Sequence, residues 1–202
     1  MKEAVGVAAT AQAVNALSDQ DVARITWLDI ESGSDDLPGG ARWLVNLDGS
    51  GEVLPLPSIS VVPLMQPWFA GVANIRGTLF SVVDFSAWRG GEPTPRTAQA
   101  RLLLIGQHSA LLLRRTWGLQ TGLALAGKEE KSAADAQAMQ GKPFATADKA
   151  NGTAAWLGQR LSSPARQVAP GDGAAPNPLP AQWTCLVSSA LLAEPAFMEV
   201  MR

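Results

Sequence analysis

The chain has 202 residues, 47% of them hydrophobic and 17% charged, with 16 Lys+Arg against 18 Asp+Glu. That is enough apolar matter for one large domain or two small intertwined ones, with no need of a metal or disulfide staple. One cysteine, Cys185, and one histidine, His108, exclude an internal disulfide and any Cys- or His-rich metal centre. A pI near 5.4 and a net charge of −2 argue against a nucleic-acid groove, which needs a clustered basic face.

Met1 to Ala13 resembles a signal peptide only superficially. Glu3 stands among the charges that should be positive, and Val5 to Ala9 is too short for an apolar h-region of about 7 to 15 residues. No stretch reaches the roughly 18 apolar residues of a membrane span, because Gln107, His108 and Ser109 break the longest candidate, Leu102 to Leu113. The expectation is a cytoplasmic protein with no direct membrane insertion.

Residues 1–41 read as an acidic, variable N-terminal leader. Through Asp48 there are eight acidic residues and three basic ones, and Gly33 to Gly40 is a Gly/Asp/Pro loop. Asp19 or Ser18 can cap a short helix from Gln20 to Leu28. At Arg42 the pattern turns to period two, with Trp43, Val45 and Leu47 alternating with Arg42, Leu44 and Asn46, as in a half-buried strand. After the Asp48–Gly51 turn, Glu52-Val53-Leu54 is the next extended piece.

Prolines 55, 57, 63 and 67 forbid a helix through the following connector, although Pro67-Trp68-Phe69 can open a single helical turn. Val72–Arg76 and Leu79–Phe85 predict a hairpin closed around Gly77. A Gly/Pro-rich stretch, Gly90 to Thr97, precedes a second hairpin made of Arg101–Gly106 and Ala110–Arg115. Lys128 to Gln140 has a helical composition ended by Gly141. Ala155–Leu161 and Trp183–Val187 are further strands, separated by a loop over 163–182 with five prolines. Ser189–Val200 reads as one helix or two, with Pro195 starting a new turn. Strands about ten residues apart in both halves are the habit of barrels and sandwiches.

Catalytic signatures are weak. Gly122 to Lys128 fits the spacing GxxxxGK between a predicted strand and a predicted helix. Glu129 then stands where a magnesium-binding hydroxyl is needed, and Glu129 and Glu130 would oppose phosphate at the helix start. His108 could serve an acyl-transfer triad with Ser81 or Ser86 and Asp84, but no GxSxG elbow is present, and a turn histidine is the simpler reading. Asn151-Gly152-Thr153 is a glycosylation acceptor in form and a tight turn in a cytoplasmic chain. Seven tryptophans and no tyrosine point to apolar packing.

Three spaced blocks carry a family likeness: Glu52-Val53-Leu54-Pro55, Pro67-Trp68-Phe69-Ala70-Gly71-Val72-Ala73-Asn74-Ile75-Arg76-Gly77, and Val82-Val83-Asp84-Phe85. Their order and spacing resemble the CheW family of chemotaxis coupling proteins, and their wording is closer to the PilI-type, twitching-motility branch. Arg101 to Ile105, Ala155 to Arg160 and Leu191 to Phe197 are similar to that branch too. The resemblance implies a mainly β fold of two intertwined five-stranded SH3-like barrels with short helices, spanning 42–202 and sharing an apolar core. It implies an adaptor, with no catalysis, cofactor or metal, that joins the cytoplasmic tip of a methyl-accepting chemoreceptor to the regulatory domain of a CheA-type histidine kinase. Such a protein is a monomer alone and a member of a larger array.

The same resemblance places the receptor-facing surface at Glu52, Val53, Asn74, Ile75, Arg76 and Gly77, and kinase-side contacts at Leu112, Leu113 and Arg114. Glu52 and Arg76, opposite charges on neighbouring apolar strands, are expected to pair. Asn74 and Arg76, two apart, should share one strand face while Ile75 packs on the other. Asp84, at the end of a buried strand, is expected to make a turn or cap bond. Two rival functions are a nucleotide-dependent enzyme built on Gly122–Lys128 and a degenerate coupling protein tethering a different partner through its acidic leader.

Overall fold

Eleven strands and four short helices, arranged as two sheets, account for residues 18–37, 41–46, 51–125, 155–162 and 183–199, the part of the chain that the computed structural model describes. The chain enters through α1 (Asp19–Arg24), then β1 (Trp27–Glu31) and β2 (Arg42–Asn46). It crosses to a second sheet for β3 (Val53–Pro55), β4 (Phe69–Ile75), β5 (Thr78–Asp84), α2 (Phe85–Trp88), β6 (Arg101–Ile105) and β7 (Ser109–Leu113). It returns to the first for β8 (Arg115–Gln120), β9 (Ala124–Leu125), β10 (Leu157–Ser162) and β11 (Trp183–Leu186), and ends in α3 (Ser188–Ala193) and α4 (Pro195–Met198).

The sheets run β8-β1-β2-β11-β10-β9 and β3-β6-β7-β5-β4. Two parallel pairs, β2 with β11 and β5 with β7, stitch together segments far apart in sequence. Most of these strands are apolar on both faces because each sheet lies between two cores. In the five-stranded sheet one face is built from Leu54, Ala73, Ile75, Phe80, Val82, Leu102, Leu104, Ala110 and Leu112, so every strand contributes to its interior. In the six-stranded sheet Trp27, Leu44, Leu161, Trp183 and Cys185 do the same, closed off by Val22 and Ile25 of the α1 region. The opposite faces of both meet in a shared core that includes Leu28, Ile30, Trp43, Val45, Val83, Leu103, Leu111 and Leu113. The fold class is that of two intertwined SH3-like barrels on a common apolar core, with six strands rather than five in one of them.

Runs such as Arg101-Leu-Leu-Leu-Ile are the sequence mark of strands buried on both sides. Each fully buried Leu, Ile or Val contributes about 1.5–3 kcal/mol relative to its exposed state. Where the sheets meet, Trp43, Phe85, Trp88, Trp156 and Phe197 pack edge to face or tilted, apart from the stacked pair Phe85–Trp88, with neighbouring ring centres 5.1–6.1 Å apart. Arg89 is buried beside them. Its guanidinium lies over Trp43 and Phe85, donates to the Ser32 carbonyl and so ties the end of α2 to the β1–β2 connection. Burial pushes this guanidinium down to about 9, which leaves it protonated at neutral pH.

Several elements differ from the sequence reading. The first helix stops at Arg24, and Trp27–Glu31 is a strand paired on both sides, by β2 and β8, although it lies within the stretch read as leader. Its acidic residues are not solvent decoration. Asp29 is fully buried, accepts from Arg42 Nε at 2.9 Å and from the Trp183 indole at 3.1 Å, and is ion-paired with the Arg42 Nη2 atom. β2 is buried across Trp43, Leu44 and Val45 rather than on one face, because it is covered by both cores. Pro67-Trp68 forms a turn, closed by Phe69 N–H donating to Gln66 O, that leads straight into β4 in place of a helical turn. The C-terminal segment is two helices, the second begun by Pro195. The helix expected over 128–140, the turn at 151–153 and the 163–182 loop fall outside the described residues.

Candidate functional site

The three motif blocks come together at the open side of the five-stranded sheet. β3 and β4 are its two edge strands. Glu52 immediately precedes β3, and Arg76 immediately follows β4. Across the opening Arg76 Nη1 donates to Glu52 Oε2 at 2.7 Å and Nη2 to Oε1 at 2.6 Å. The expected pair therefore forms as a two-point clasp, and it joins the first and last strands of the sheet. Both side chains are exposed, Arg76 at 73% and Glu52 at 43%. Hydrogen bonds from the guanidinium to the Glu52 carboxylate, with their charge attraction second, raise the already high pKa of Arg76. In this solvated setting the clasp orders the opening and contributes little to overall stability.

The hairpin that carries Arg76 explains its own motif. The two-residue turn Arg76-Gly77 has φ of 52° and 87°, the left-handed pair that matches the twist of adjoining strands. Glycine takes this conformation freely, and Arg76 takes it at some cost. Asn74 Oδ1 accepts the Gly77 N–H at 2.9 Å and braces the turn. Arg76 thus belongs to the turn rather than to the strand face of Asn74, whereas Ile75 is buried between them as expected. Gly71 has a different reason. Its φ is 129°, and a Cβ there would collide with the Ser60 carbonyl, which is bonded to Val72. The connector 56–68 is thereby held along the edge of β4.

Asp84 ends β5 as the N-cap of α2. Its Oδ1 accepts Ser86 N–H at 3.1 Å, Ala87 N–H at 3.3 Å and the Thr94 hydroxyl at 2.7 Å, and its Oδ2 accepts Thr94 N–H at 2.6 Å. The cap role read from sequence is correct, and it extends further: one buried carboxylate pins the Gly90–Thr97 connector to the sheet. With its neighbour Ser86 donating to Glu92 O, Asp84 is not aimed at His108, which sits exposed in the β6–β7 turn.

Among the residues expected at a partner surface, Glu52, Asn74, Arg76 and Gly77 are exposed, Val53 is half-buried and Ile75 is interior. On the other side Leu112 and Leu113 face opposite cores, at 1% and 0% exposure. Strands buried on both faces have no outward side, so these two leucines offer no contact surface; Arg114 alone is exposed, beside Glu31. Sequence reasoning missed Leu79, 62% exposed opposite Asn74 on the hairpin, and Val61 and Leu64 in the connector. A large apolar residue two positions after the turn Gly77, at the start of a hairpin strand, was the available signal for Leu79.

Gly122 has φ 67° and leads through buried Leu123 into β9, so the strand half of the GxxxxGK stretch closes a barrel interior. Its Gly127 and Lys128 lie outside the described residues. Among those residues no group of His, Cys, Asp or Glu could hold a metal ion, and no helix is long and apolar enough to cross a membrane.

A family model described as the CheW-like domain matches residues 39–151, which contain the clasp, the hairpin and the Asp84 cap. The chain belongs to this CheW-like family. Protein PilI of Pseudomonas aeruginosa is 31% identical to it over 86 residues, 41% of this chain and 48% of that protein. The CheW-like chain therefore spans about half the length of the curated relative it matches, and the match agrees with the branch suggested by the wording of the motif blocks. A solved structure, scaffolding protein TtCheW from Thermoanaerobacter tengcongensis, gives a TM-score of 0.43 at 14% identity over 54% of this chain and 75% of that one. β1 lies before the matched span, and β10 and β11 after it, yet all three are integral to the six-stranded sheet.

Proposed function

We propose that this CheW-like protein is a non-catalytic cytoplasmic adaptor that couples a methyl-accepting chemoreceptor to a CheA-type histidine kinase in a type IV pilus chemosensory system. The observation that carries the reading is the Glu52–Arg76 clasp, a solvent-facing, two-point ion pair on a rigid hairpin within the family's matched span. The receptor-facing surface is then made of Glu52, Val53, Asn74, Arg76 and Gly77, with Leu79 as an apolar neighbour, and Ile75 acts from beneath by fixing the strand. The mechanism is geometric. Two modest interfaces on one stiff double barrel hold two larger proteins together, and repetition in an array raises avidity by about 10² or more without any tight pairwise contact. Signalling is then a small difference in affinity for two receptor states.

The test is co-purification of the full chain with a receptor cytoplasmic fragment and with a CheA-type kinase. The adaptor reading predicts capture of both, with Arg76→Ala weakening receptor capture and sparing kinase capture. Capture of neither contradicts it.

A further inference from the structure

A second, chemically different surface lies on the six-stranded sheet at the end strand β8; it takes in Arg114, the one exposed residue of the expected kinase side, and is argued from its own contacts. β8 pairs with β1 on one side, and among the described residues its outer edge carries no strand. Its register slips between Thr116 and Gly118, so that Trp117 is a bulged extra residue opposite Ile30 and Asp29. The indole N–H of Trp117 donates to Glu31 Oε2 at 2.9 Å, and the guanidinium carbons of Arg42 and Arg115 lie over its ring at 4.6 and 4.7 Å.

Arg114 and Arg115 both approach Glu31, their nearest contacts being from Nε at 3.5 and 3.4 Å. Neither guanidinium donates a hydrogen bond through its Nη atoms to any described residue. The charges are layered by depth. The Asp29 and Glu31 side chains are 0% and 15% exposed, while Arg115 and Arg114 are 32% and 49% exposed. An approaching molecule therefore meets guanidinium nitrogens first, already oriented by the carboxylate and indole beneath, and then Leu119, 59% exposed further along the strand. Arginine and tryptophan at one spot are the residue types on which protein interfaces concentrate their binding energy.

We propose that the β8 edge from Arg114 to Leu119 docks an extended acidic segment of a partner protein, whose carboxylates seat on the Nη atoms of Arg114 and Arg115 and whose apolar side chain covers Leu119. Among the described residues no strand pairs with the outer main-chain groups of β8, which suits an extended occupant, and pre-oriented guanidinium forks suit carboxylates. A second copy of this chain is a poor occupant, because Arg115–Gln120 contains no carboxylate of its own. A nucleic acid is disfavoured by the chain's net charge of −2. The bulge and the adjacent cations also discourage indiscriminate strand pairing, so the edge is selective as well as open.

The experiment is fluorescence anisotropy of a fluorescein-labelled octapeptide of alternating Glu and Val, titrated with the full chain at low salt, with a Lys/Val octapeptide as its counterpart. The expected result is saturable binding of the Glu/Val peptide that weakens as salt rises, and none of the Lys/Val peptide. Arg114→Glu should weaken the Glu/Val peptide by about tenfold or more and favour the Lys/Val peptide instead. Arg114→Gln, which disturbs Glu31 less, should give a smaller loss in the same direction. Glu92→Gln, an exposed acid on the 90–97 connector, should leave binding unchanged. Three outcomes overturn the proposal: no binding of the Glu/Val peptide, equal binding by wild type and both Arg114 variants, or binding of an eight-nucleotide single-stranded DNA as tight as the peptide.

Discussion

Replacing Asp84 by Ala removes one carboxylate that serves four donors at the junction of β5, α2 and the 90–97 connector. Loss of the helix cap costs about 1 kcal/mol. Thr94 is 7% exposed, and leaving its N–H and hydroxyl without their acceptor adds about 1–3 kcal/mol. The sum is about 3 kcal/mol, which for a chain of this size lowers the thermal midpoint by about 6–12 °C. Circular dichroism and tryptophan fluorescence on heating, with urea titration as a second measure, read this directly, because Trp88 lies within the helix that Asp84 caps. Asp84→Asn retains one acceptor oxygen and turns an amide N–H toward a donor, so it should fall between wild type and Ala. A loss below about 1 kcal/mol for Ala, or an Asn variant as damaged as Ala, refutes the cap-and-pin account. At temperatures where the Ala variant is folded, partner binding should survive, since the carboxylate is 5% exposed and touches no partner itself.

Two further predictions concern single groups. The Ser18 hydroxyl, and then its backbone N–H, hold the Asp21 carboxyl below its ordinary range in the capping box of α1. This support is present above the ordinary carboxylate pKa of about 4 and disappears as pH falls through the lowered value, so the protection factors of the amides across 21–25, taken against the intrinsic exchange rate at each pH, should fall under acid conditions. Ser18→Ala, which leaves the backbone N–H in place, should reduce that acid dependence, and wild-type protection factors that do not change with pH below about 4 contradict the assignment. Burial pushes the Cys185 thiol up to about 12. Because the thiolate is the nucleophile, iodoacetamide at pH 8 should label the folded chain about 1,000-fold more slowly than the urea-unfolded one, and equal rates would show that the β11 thiol is accessible.

What the sequence made legible was local. The two hairpins, the Gly77 turn, the Glu52–Arg76 pair, the Asp84 cap and the helical C-terminus, read as one helix or two, each rest on a few adjacent residues or on a short motif. What it hid depends on pairing over long distances. Trp27–Glu31 carries two acids and so shared the composition of a leader, but Asp29 is answered by Arg42 and Trp183, the latter 154 positions away. Arg115–Gln120 was invisible because a bulge at Trp117 breaks its alternation and Gly118 weakens its strand character. Leu112 and Leu113 were open to misassignment for a physical reason: in a strand covered on both faces, apolar residues in succession cannot be sorted into surface and core by periodicity. The role of Arg76 in the turn, rather than on a strand face, depended on the left-handed backbone that its neighbour Gly77 shares.

The central claim is that one stiff double barrel holds two larger proteins through separate surfaces. Analytical ultracentrifugation of the full chain mixed with a CheA-type kinase and a receptor cytoplasmic fragment tests it most directly. The account predicts a sedimenting species containing all three proteins, reduced to the kinase pair alone when Arg76 is changed to Glu. Three independent boundaries, with no species heavier than the kinase and the receptor fragment by themselves, would contradict it.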